Sequence, residues 1–493
     1  MGSRSPQIAV VTPRRTAGRK RRQRPYLGIT FINPPENVVL RKMTWNEETY
    51  VEIPFCEQLA RLGWEVRHLP AGAEPGESQR LSFREVIIEP ELREALRGIN
   101  PFLEDDQITE VITRLDAIPQ TPLIEANITA TDLLLNNTTV HENRIDGTPS
   151  PTVRYIDFDH PEKNRFLAVR QFKVAVPGTT KHIIPDIVLF VNGIPLIVIE
   201  CKSPAIPEPI QEAVTQLRRY SNSRDTELPE GSNRLFTYNL CMIATSRETA
   251  KVSTIGGQEE HYLEWKDPYP TPFSAINPDG QPPDSQQRLI HGMLAPARLL
   301  EILRNFTVFR ENDQGKKIKI VARYQQYRAV QKILARLRSD QDPREKGGVV
   351  WHTQGSGKSL TMVFLIRAMR KDPILKKYKV VLITDRTDLE RQLEETAATA
   401  DEQVYTAGNI AELKTLLQTD TSNVVMGMMQ KFQEKGKKRV RKFPILNRSD
   451  KILLLIDEAH RTQASVLGAN VEQALPNCTR IAFTGTPIMK PKA

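Results

Sequence analysis

Three charged residues stand inside a strongly apolar stretch, residues 185–204, which reads PDIVLFVNGIPLIVIECKSP. They are Asp186, Glu200 and Lys202. Carboxylates can hold a divalent metal ion that activates water, and a lysine can offset the charge of a phosphate. Solvated strand ends would give the same composition. We predict that Asp186 and Glu200 bind Mg²⁺ and that they cut a phosphodiester bond together with Lys202.

The turn between the two apolar strands decides which faces these residues share. Glu200 and Lys202 are two apart on one strand and therefore point to one face. A two-residue turn at residues 192–193 would pair Asp186 with Ile199 and leave Glu200 on the other face. A three-residue loop would pair Asp186 with Glu200 directly. We therefore predict an odd loop or a compensating β-bulge.

A helix predicted over residues 207–220 follows the second strand. It carries Gln216 and Tyr220, which are four residues apart and so lie on one face. Together with Pro185-Asp186 and Glu200-Cys201-Lys202, this pattern resembles the PD-(D/E)xK nucleases of the RecB-like type. The resemblance implies catalytic roles for both helix residues. It also points to Glu57, in a helix predicted within residues 48–66, as the additional acidic residue of that family; a solvated helix position is the alternative.

A second group of residues has the pattern of a phosphate-binding loop. The strand GGVVW leads into HTQGSGKS, residues 352–359, and a helix follows. Glycines let backbone N–H groups crowd around an anion, and the helix dipole favours the same anion. The strict form GxxxxGK[ST] is not met, but the variant TxGxGK[ST] is. The predicted ATP-binding residues are Thr353, Gln354, Gly355, Ser356, Gly357, Lys358, which would reach the β- and γ-phosphates, and Ser359, which would bind Mg²⁺.

The strand KILLLIDEAHR, residues 451–461, supplies the acidic half of this site. Asp457 would hold Mg²⁺ through water, and Glu458 would orient or deprotonate the attacking water. His460 is predicted to belong to the same ATP site. These residues resemble the motor lobe of superfamily 2 helicases. The resemblance implies an adenine-reading glutamine at Gln326, with Gln325 as the alternative.

Two further segments fit the same resemblance. ITDRTDLERQL, residues 383–393, is similar to a segment that contacts the DNA backbone, which implies that role for Asp385 and Arg386. TGTP, residues 484–487, is similar to the motif that couples ATP hydrolysis to DNA movement. The coupling residues implied by this motif are Thr484, Gly485 and Thr486.

The order of the segments predicts an α/β protein with a nuclease domain on a mixed sheet, followed by a P-loop RecA-like lobe with a parallel sheet. From about residue 320, β-rich runs alternate with helical ones, as parallel α/β sheets require. The predicted divisions are a basic, disordered arm (1–39), the nuclease domain (40–265), a connector (266–315) and the first RecA-like lobe (316–493). The arm could contact nucleic acid or act as a solubilising tail.

The composition limits the class of protein. Hydrophobic residues make up 39% and charged residues 26% of the 493 residues, and the net charge is +10. No apolar run approaches the roughly 20 residues of a membrane span, and we expect no membrane contact. The four cysteines lack CxxC spacing, which argues against zinc and disulfides and predicts a cytoplasmic protein.

Taken together, the two sets of motifs resemble the N-terminal part of the R subunit of type I restriction-modification enzymes. The resemblance implies ATP and Mg²⁺ as cofactors. It implies double-stranded DNA and the methylation and specificity subunits as partners, with S-adenosylmethionine bound only by those partners. ATP-driven translocation would be coupled to cleavage of unmethylated DNA. We expect a weak motor in this chain, because the second RecA-like lobe of the family does not follow residue 493.

Three other readings share some of these features. A helicase-like DNA-binding ATPase would keep the motor motifs but would not need Asp186, Glu200 and Lys202 on one face. A catalytically inactive remnant of a larger subunit would fold and compete for partners only. A type III restriction subunit fits less well, since its nuclease would normally follow the motor.

Overall fold

The described part of the protein contains two separate β-sheets with helices packed around them. A computed structural model describes residues 46–224, 226–312, 314–351, 357–384, 404–428, 444–457 and 466–485. Its helices are α1 (Ile53–Arg61), α2 (Glu89–Ile99), α3 (Asp105–Asp116), α4 (Leu123–Asn136), α5 (Pro209–Tyr220), α6 (Asn233–Phe236), α7 (Phe273–Ile276), α8 (Ser285–Leu289), α9 (Pro296–Asn305), α10 (Tyr324–Arg338), α11 (Lys358–Lys371), α12 (Ile410–Gln418) and α13 (Val466–Ala474). None of the described helices is both long and apolar enough to cross a membrane.

The strands divide between the two sheets and three short pairs. They are β1 (Glu65–His68), β2 (Thr138–Thr139), β3 (Thr152–Val153), β4 (Phe166–Arg170), β5 (Val174–Ala175), β6 (His182–Ile183), β7 (Ile187–Val191), β8 (Ile194–Cys201), β9 (Cys241–Thr245), β10 (Ala250–Ser253), β11 (Leu263–Glu264), β12 (Thr307–Glu311), β13 (Lys317–Val321), β14 (Gly348–Trp351), β15 (Lys379–Thr384), β16 (Val404–Thr406), β17 (Val424–Met428), β18 (Ile452–Asp457) and β19 (Thr479–Thr484).

The first sheet is mixed and has seven strands in the order β1-β4-β7-β8-β9-β10-β11. Strand β8 lies at its centre, antiparallel to β7 and parallel to β9. Every residue of β7 and β8 is buried. Burial on both faces explains why these strands are almost continuously apolar rather than alternating. The charged residues at their ends are therefore exceptions to the local pattern.

The hairpin between β7 and β8 combines a two-residue turn with a bulge. Asn192 and Gly193 both have positive φ values, 52° and 75°, as tight hairpin turns require. Val191 pairs with Ile194, but the register then shifts, and Leu196 has no partner on β7. The extra residue brings Ile187 opposite Ile199. Asp186 and Glu200, the next residues outward on each strand, therefore share a face, and the predicted compensating bulge is confirmed.

A helical segment before the first strand carries several acidic residues. A single π-helical turn, Glu48–Glu52, runs without a break into α1. The helix ends before Gly63, whose φ is 95°, and the Trp64 indole N–H donates to the Leu294 carbonyl at 2.8 Å. The predicted helix within residues 48–66 is confirmed. Its N-terminal turn is π-helical, a form that is frequent at functional sites.

The second sheet is parallel and has six strands in the order β14-β19-β18-β15-β17-β16. This confirms the parallel α/β pattern predicted from the sequence. The carboxyl ends of parallel strands meet at one edge, so Trp351, Thr384, Asp457 and Thr484 end their strands on the same side. Six residues separate the end of β14 from the start of α11, which begins at that edge.

The hairpin β12–β13 joins the two sheets. Its buried Lys319 donates through Nζ to Asn127 Oδ1 at 2.9 Å and to the Asn239 carbonyl at 2.7 Å, both in the first part of the chain. Burial lowers the pKa of Lys319 to about 7. Only two residues separate the end of β13 from the start of α10 at Tyr324. The first helix of the second part therefore follows directly from an anchored strand.

Candidate nuclease centre and nucleotide site

The two predicted metal ligands of the first sheet lie together and are buried. Asp186 is 7% exposed and its Oδ2 accepts a hydrogen bond from the Cys201 backbone N–H at 2.7 Å. Glu200 is fully buried. Burial raises the pKa of Asp186 to about 7, against the opposing effect of Lys202. Burial, and then the charge of Asp186, raise the pKa of Glu200 well above its usual range.

Lys202 is bonded to the acidic residues of this site. Its Nζ lies 2.7 Å from Glu200 Oε1 and donates to the Cys201 carbonyl at 2.8 Å. A third neighbour, Glu47, has its Oε2 at 3.7 Å. Burial alone would lower the pKa of Lys202, but Glu200 and the other acids raise it, so the lysine stays charged. A fixed ammonium group stands beside the carboxylates, as the sequence predicted.

The additional acidic residues come from the π-helical turn and the residue before it, and Glu57 is not among them. One carboxylate oxygen from each of Glu47, Glu52 and Asp186 lies within 4.8 Å of the others. Glu52 is 4% exposed, whereas Glu57 is exposed. Five residues of helix rotate a side chain by roughly 140° relative to the first, which turns Glu57 away from the site. The structure therefore gives no support to Glu57 as the additional acidic residue, and it brings Glu52 to the cluster instead.

The residues present fit a divalent cation. Among the described residues, Glu200 Oε2 is a buried oxygen with no hydrogen-bond partner. Burial also raises the pKa of Glu47, while Lys202 lowers it. Burial and mutual repulsion disfavour the ionised form of clustered carboxyl groups and so raise their pKa values. A bound cation favours the ionised form and offsets both effects. Carboxylate oxygens are the ligands that Mg²⁺ prefers. The triplet identified by distance does not include Glu200, whose Oε1 is bonded to Lys202.

Gln216 and Tyr220 contact one another on α5, as their spacing predicted. The Gln216 amide donates to the Tyr220 hydroxyl, which in turn donates to the Ile184 carbonyl at 3.2 Å. Burial, and then the charge of Glu200, raise the pKa of Tyr220. The pair therefore stands beside the acidic cluster and supports the chain just before Asp186. Their catalytic role remains a prediction.

The described part of the nucleotide site lies at the start of α11. Gly357 has a φ of 85°, and a Cβ there would lie 2.5 Å from Gln326 Nε2. Gln326 is buried and donates through Nε2 to the Gly357 carbonyl at 3.1 Å. This contact belongs to Gln326 and not to the alternative, Gln325. Lys358 and Ser359 follow on the first turn of the helix.

The acidic strand of the second sheet points to the same place. Asp457 ends β18, and the Thr384 hydroxyl at the end of β15 donates to its Oδ2 at 3.5 Å. The Trp351 indole N–H donates to the Gly485 carbonyl at 3.0 Å, beside Thr484, which pairs with Trp351. The predicted site residues that lie outside the described residues are Thr353, Gln354, Gly355, Ser356, Asp385, Arg386, Glu458, His460 and Thr486.

One cleft of about 1580 Å³ contains Gln326, Gly357, Lys358, Ser359 and Asp457. Its other wall belongs to the first part of the chain and includes residues 251–258. The sequence did not indicate this second wall, because it depends on how the hairpin β12–β13 docks. A nucleotide at the phosphate loop would therefore lie next to both parts of the chain.

Comparison with known proteins follows the same division. The family model of the Type I restriction enzyme R protein N terminus matches residues 44–261, and that of the SWI2/SNF2 ATPase matches residues 325–493. The HindI type I restriction enzyme endonuclease subunit of Haemophilus influenzae is 32% identical over 464 residues, which is 90% of this chain. These matches support an N-terminal part of a type I restriction enzyme endonuclease subunit.

Other members of this family match over a similar extent. A Methanocaldococcus jannaschii protein, provisionally named as the MjaIXP endonuclease subunit, is 27% identical over 90% of this chain and 42% of its own length. The SauCOLORF180P endonuclease subunit of Staphylococcus aureus is 26% identical over 90% of this chain and 43% of its own length. The HindI subunit is likewise covered over 42% of its length. The chain thus spans about two fifths of these restriction subunits.

Proposed function

We propose that this chain carries the nuclease centre and the first nucleotide-binding lobe of a type I restriction subunit. The observation that supports this best is the shared face of Asp186 and Glu200, which the bulge at Leu196 creates. A DNA-binding ATPase without nuclease activity would have no need for this register. The reaction is Mg²⁺-dependent endonucleolytic cleavage of unmethylated double-stranded DNA, coupled to ATP-dependent translocation in the assembled enzyme.

The residues of the nuclease centre divide the work. Asp186, Glu52 and Glu47 would hold Mg²⁺, with Glu200 close by. Bound Mg²⁺ would supply activation of water and stabilisation of the negative charge that develops on the phosphate. Lys202 keeps its positive charge beside Glu200 and would orient the nucleophile or offset the phosphate charge. Gln216 and Tyr220 brace the backbone at Ile184, two residues before Asp186.

The nucleotide site at the edge of the parallel sheet would bind ATP with Mg²⁺. Gln326 packs against Gly357 and would read the adenine, Lys358 would contact the β- and γ-phosphates, and Ser359 and Asp457 would hold the metal ion. Glu458 and His460 would complete the site, and Asp385, Arg386 and residues 484–486 would link it to DNA. Methylation and specificity subunits are the proposed protein partners.

A plasmid assay tests the nuclease. The chain and its Asp186→Ala variant are incubated with supercoiled plasmid and Mg²⁺, with and without ATP, and with and without a modification core of methylation and specificity subunits. We expect nicking by the wild type and none by the variant. Nicking only when the core is present would identify a core-dependent subunit. Equal nicking by both proteins, or none by either with the core present, would contradict the proposed nuclease.

A further inference from the structure

Arg170 is a buried cation in contact with the acidic turn. It is the last residue of β4, is 6% exposed and pairs with Ile187, the neighbour of Asp186. Its Nε and Nη2 lie 3.2 and 3.0 Å from Glu52 Oε2, and the same Nη2 lies 2.9 Å from Glu48 Oε1. Burial alone would lower the pKa of Arg170, but these two acids raise it. The guanidinium fork therefore fixes the Glu52 carboxylate from one side.

The next residue, Gln171, ties the same strand end to two of the candidate metal ligands. Its backbone N–H donates to the Asp186 carbonyl at 2.9 Å, and its side-chain Nε2 lies 3.5 Å from Glu52 Oε2. Its φ is 60°, a left-handed conformation that a glutamine seldom adopts. Backbone strain of this kind concentrates at functional sites. This strained conformation lies at the end of β4, beside the acidic cluster.

The charges around the site show why Glu52 needs to be held. Five carboxyl groups surround two cations: the acids are Glu47, Glu48, Glu52, Asp186 and Glu200, and the cations are Arg170 and Lys202. Carboxylates crowded in this way repel one another. A side chain as long as glutamate would turn away from its neighbours unless a directional partner held it. Arg170 supplies such a partner, because its donors form a rigid planar fork.

We propose that Arg170 is a positioning residue for the metal site, which holds the Glu52 carboxylate beside Glu47 and Asp186. This inference rests on the proposed nuclease function. The loss of Arg170 would change the metal affinity in opposite directions through its effect on charge and its effect on orientation. Removing a cation makes the site more negative and would strengthen metal binding, whereas loss of orientation weakens it. A measurement of metal affinity therefore separates the two.

The test is calorimetric titration of the full, nucleotide-free chain with Mn²⁺. The variants are Arg170→Gln, Arg170→Lys and Asp186→Asn, and the last one defines the heat that comes from this site. We expect about tenfold weaker Mn²⁺ binding in both Arg170 variants, since outer partners of metal ligands typically contribute 10–100-fold to affinity. Lysine keeps the charge but lacks the fork, so it should not restore binding.

Arg67→Gln is the matched control for folding. Arg67 lies on β1, the strand next to β4, and its Nη2 forms a partly buried ion pair with Glu91 at 2.6 Å. This variant should lose stability but bind Mn²⁺ as the wild type does. Wild-type or tighter affinity in Arg170→Gln, or wild-type affinity in Arg170→Lys, would overturn the positioning role alone. Absence of Mn²⁺ binding by the wild type would overturn the positioning role and the metal site together. Weaker binding by the Arg170 variants, with no DNA cleavage by the wild type, would support positioning and contradict the nuclease.

Discussion

The proposed nuclease centre and the proposed nucleotide site are built from the chain in different ways. The nuclease centre collects side chains from a π-helical turn, the end of β4, two strands of a hairpin and α5, spread over residues 47–220. The nucleotide site is mostly one local unit, a strand, a loop and a helix, completed by strand ends at the same edge. The first depends on register and packing, and the second on a contiguous motif.

This difference determines how each site responds to change. In a local motif, a substitution acts on the ligand that the residue itself contacts. In a centre assembled by register, a residue far from the chemistry can decide whether the ligands meet at all. Single substitutions at the two sites and at the hairpins that support them test that contrast.

The two sites should be separable by single substitutions. Asp186→Asn should lower Mg²⁺-dependent nicking by about 1000-fold, because the metal supplies several kcal/mol of transition-state stabilisation. It should leave the binding of a fluorescent ATP analogue unchanged. Lys358→Ala should weaken the binding of the ATP analogue and should leave nicking unchanged when nicking is assayed without ATP. If either substitution abolishes both activities in a folded protein, the sites are not independent.

Two glutamates of the same N-terminal helical segment should differ in their effect. Glu52→Gln should lower nicking by about 100-fold, as loss of a group that holds the metal predicts. Glu57→Gln changes an exposed side chain of the same segment and should have no effect. Nicking rates at several Mg²⁺ concentrations measure the difference. The opposite ranking would restore the assignment made from sequence alone.

The hairpin turn should be sensitive to a single methyl group. Gly193→Ala should destabilise the protein by about 3 kcal/mol, because left-handed strain of roughly 1–2 kcal/mol adds to overpacking of about 1–3 kcal/mol. A Cβ there would lie 2.4 Å from the Ile88 carbonyl oxygen. Gly147→Ala is the control, since it has the same φ of 75° but no atom within 4 Å. Urea unfolding of both variants measures the contribution of the close contact.

The stability of the protein should depend on pH through Lys319, which lies in the hairpin β12–β13 between the two parts of the chain. The pKa of Lys319 is about 7 in the folded protein and 10.5 in its ordinary state. Between these values the unfolded chain binds more protons, so stability rises as pH increases. From pH 6 to 8 the gain should be about 1 kcal/mol relative to Lys319→Met, which has no such slope. The measurement is the free energy of unfolding of the wild type and of Lys319→Met between pH 6 and 8. If the two proteins show the same pH dependence, Lys319 does not have a lowered pKa in the folded protein.

The sequence predicted the local features of the molecule well. The helix ending before Gly63, the helix that carries Gln216 and Tyr220, the parallel sheet and the need for a bulge all follow from spacing and periodicity. These features depend on neighbours in the chain. The bulge was predictable because a two-residue turn without a bulge would place Asp186 and Glu200 on opposite faces. Only a three-residue loop or a compensating bulge could bring them to the same face.

The features that the sequence missed depend on packing between distant segments. Glu52 and Glu57 lie on one helical segment, and only the contact of Glu52 with Arg170, at the end of β4, shows which one faces the cluster. In the sequence, Arg170 is one of several charged residues in predicted strands, and no local pattern indicates its contact with Glu52. The second wall of the nucleotide cleft depends on the anchoring of β13, which no local pattern encodes.

The extra residue in β8 also has a mechanical consequence. The Leu196 carbonyl accepts hydrogen bonds from the Leu240 N–H at 2.6 Å and from Asn239 Nδ2 at 3.3 Å. The Asn239 carbonyl is bonded to Lys319, whose strand leads within five residues to α10 and Gln326, and Gln326 holds Gly357. A continuous bonded linkage thus runs from the strand of Glu200 to the phosphate loop. The bulged residue of β8 therefore also serves as a shared hydrogen-bonding point between the strand of Glu200 and the segment that anchors β13.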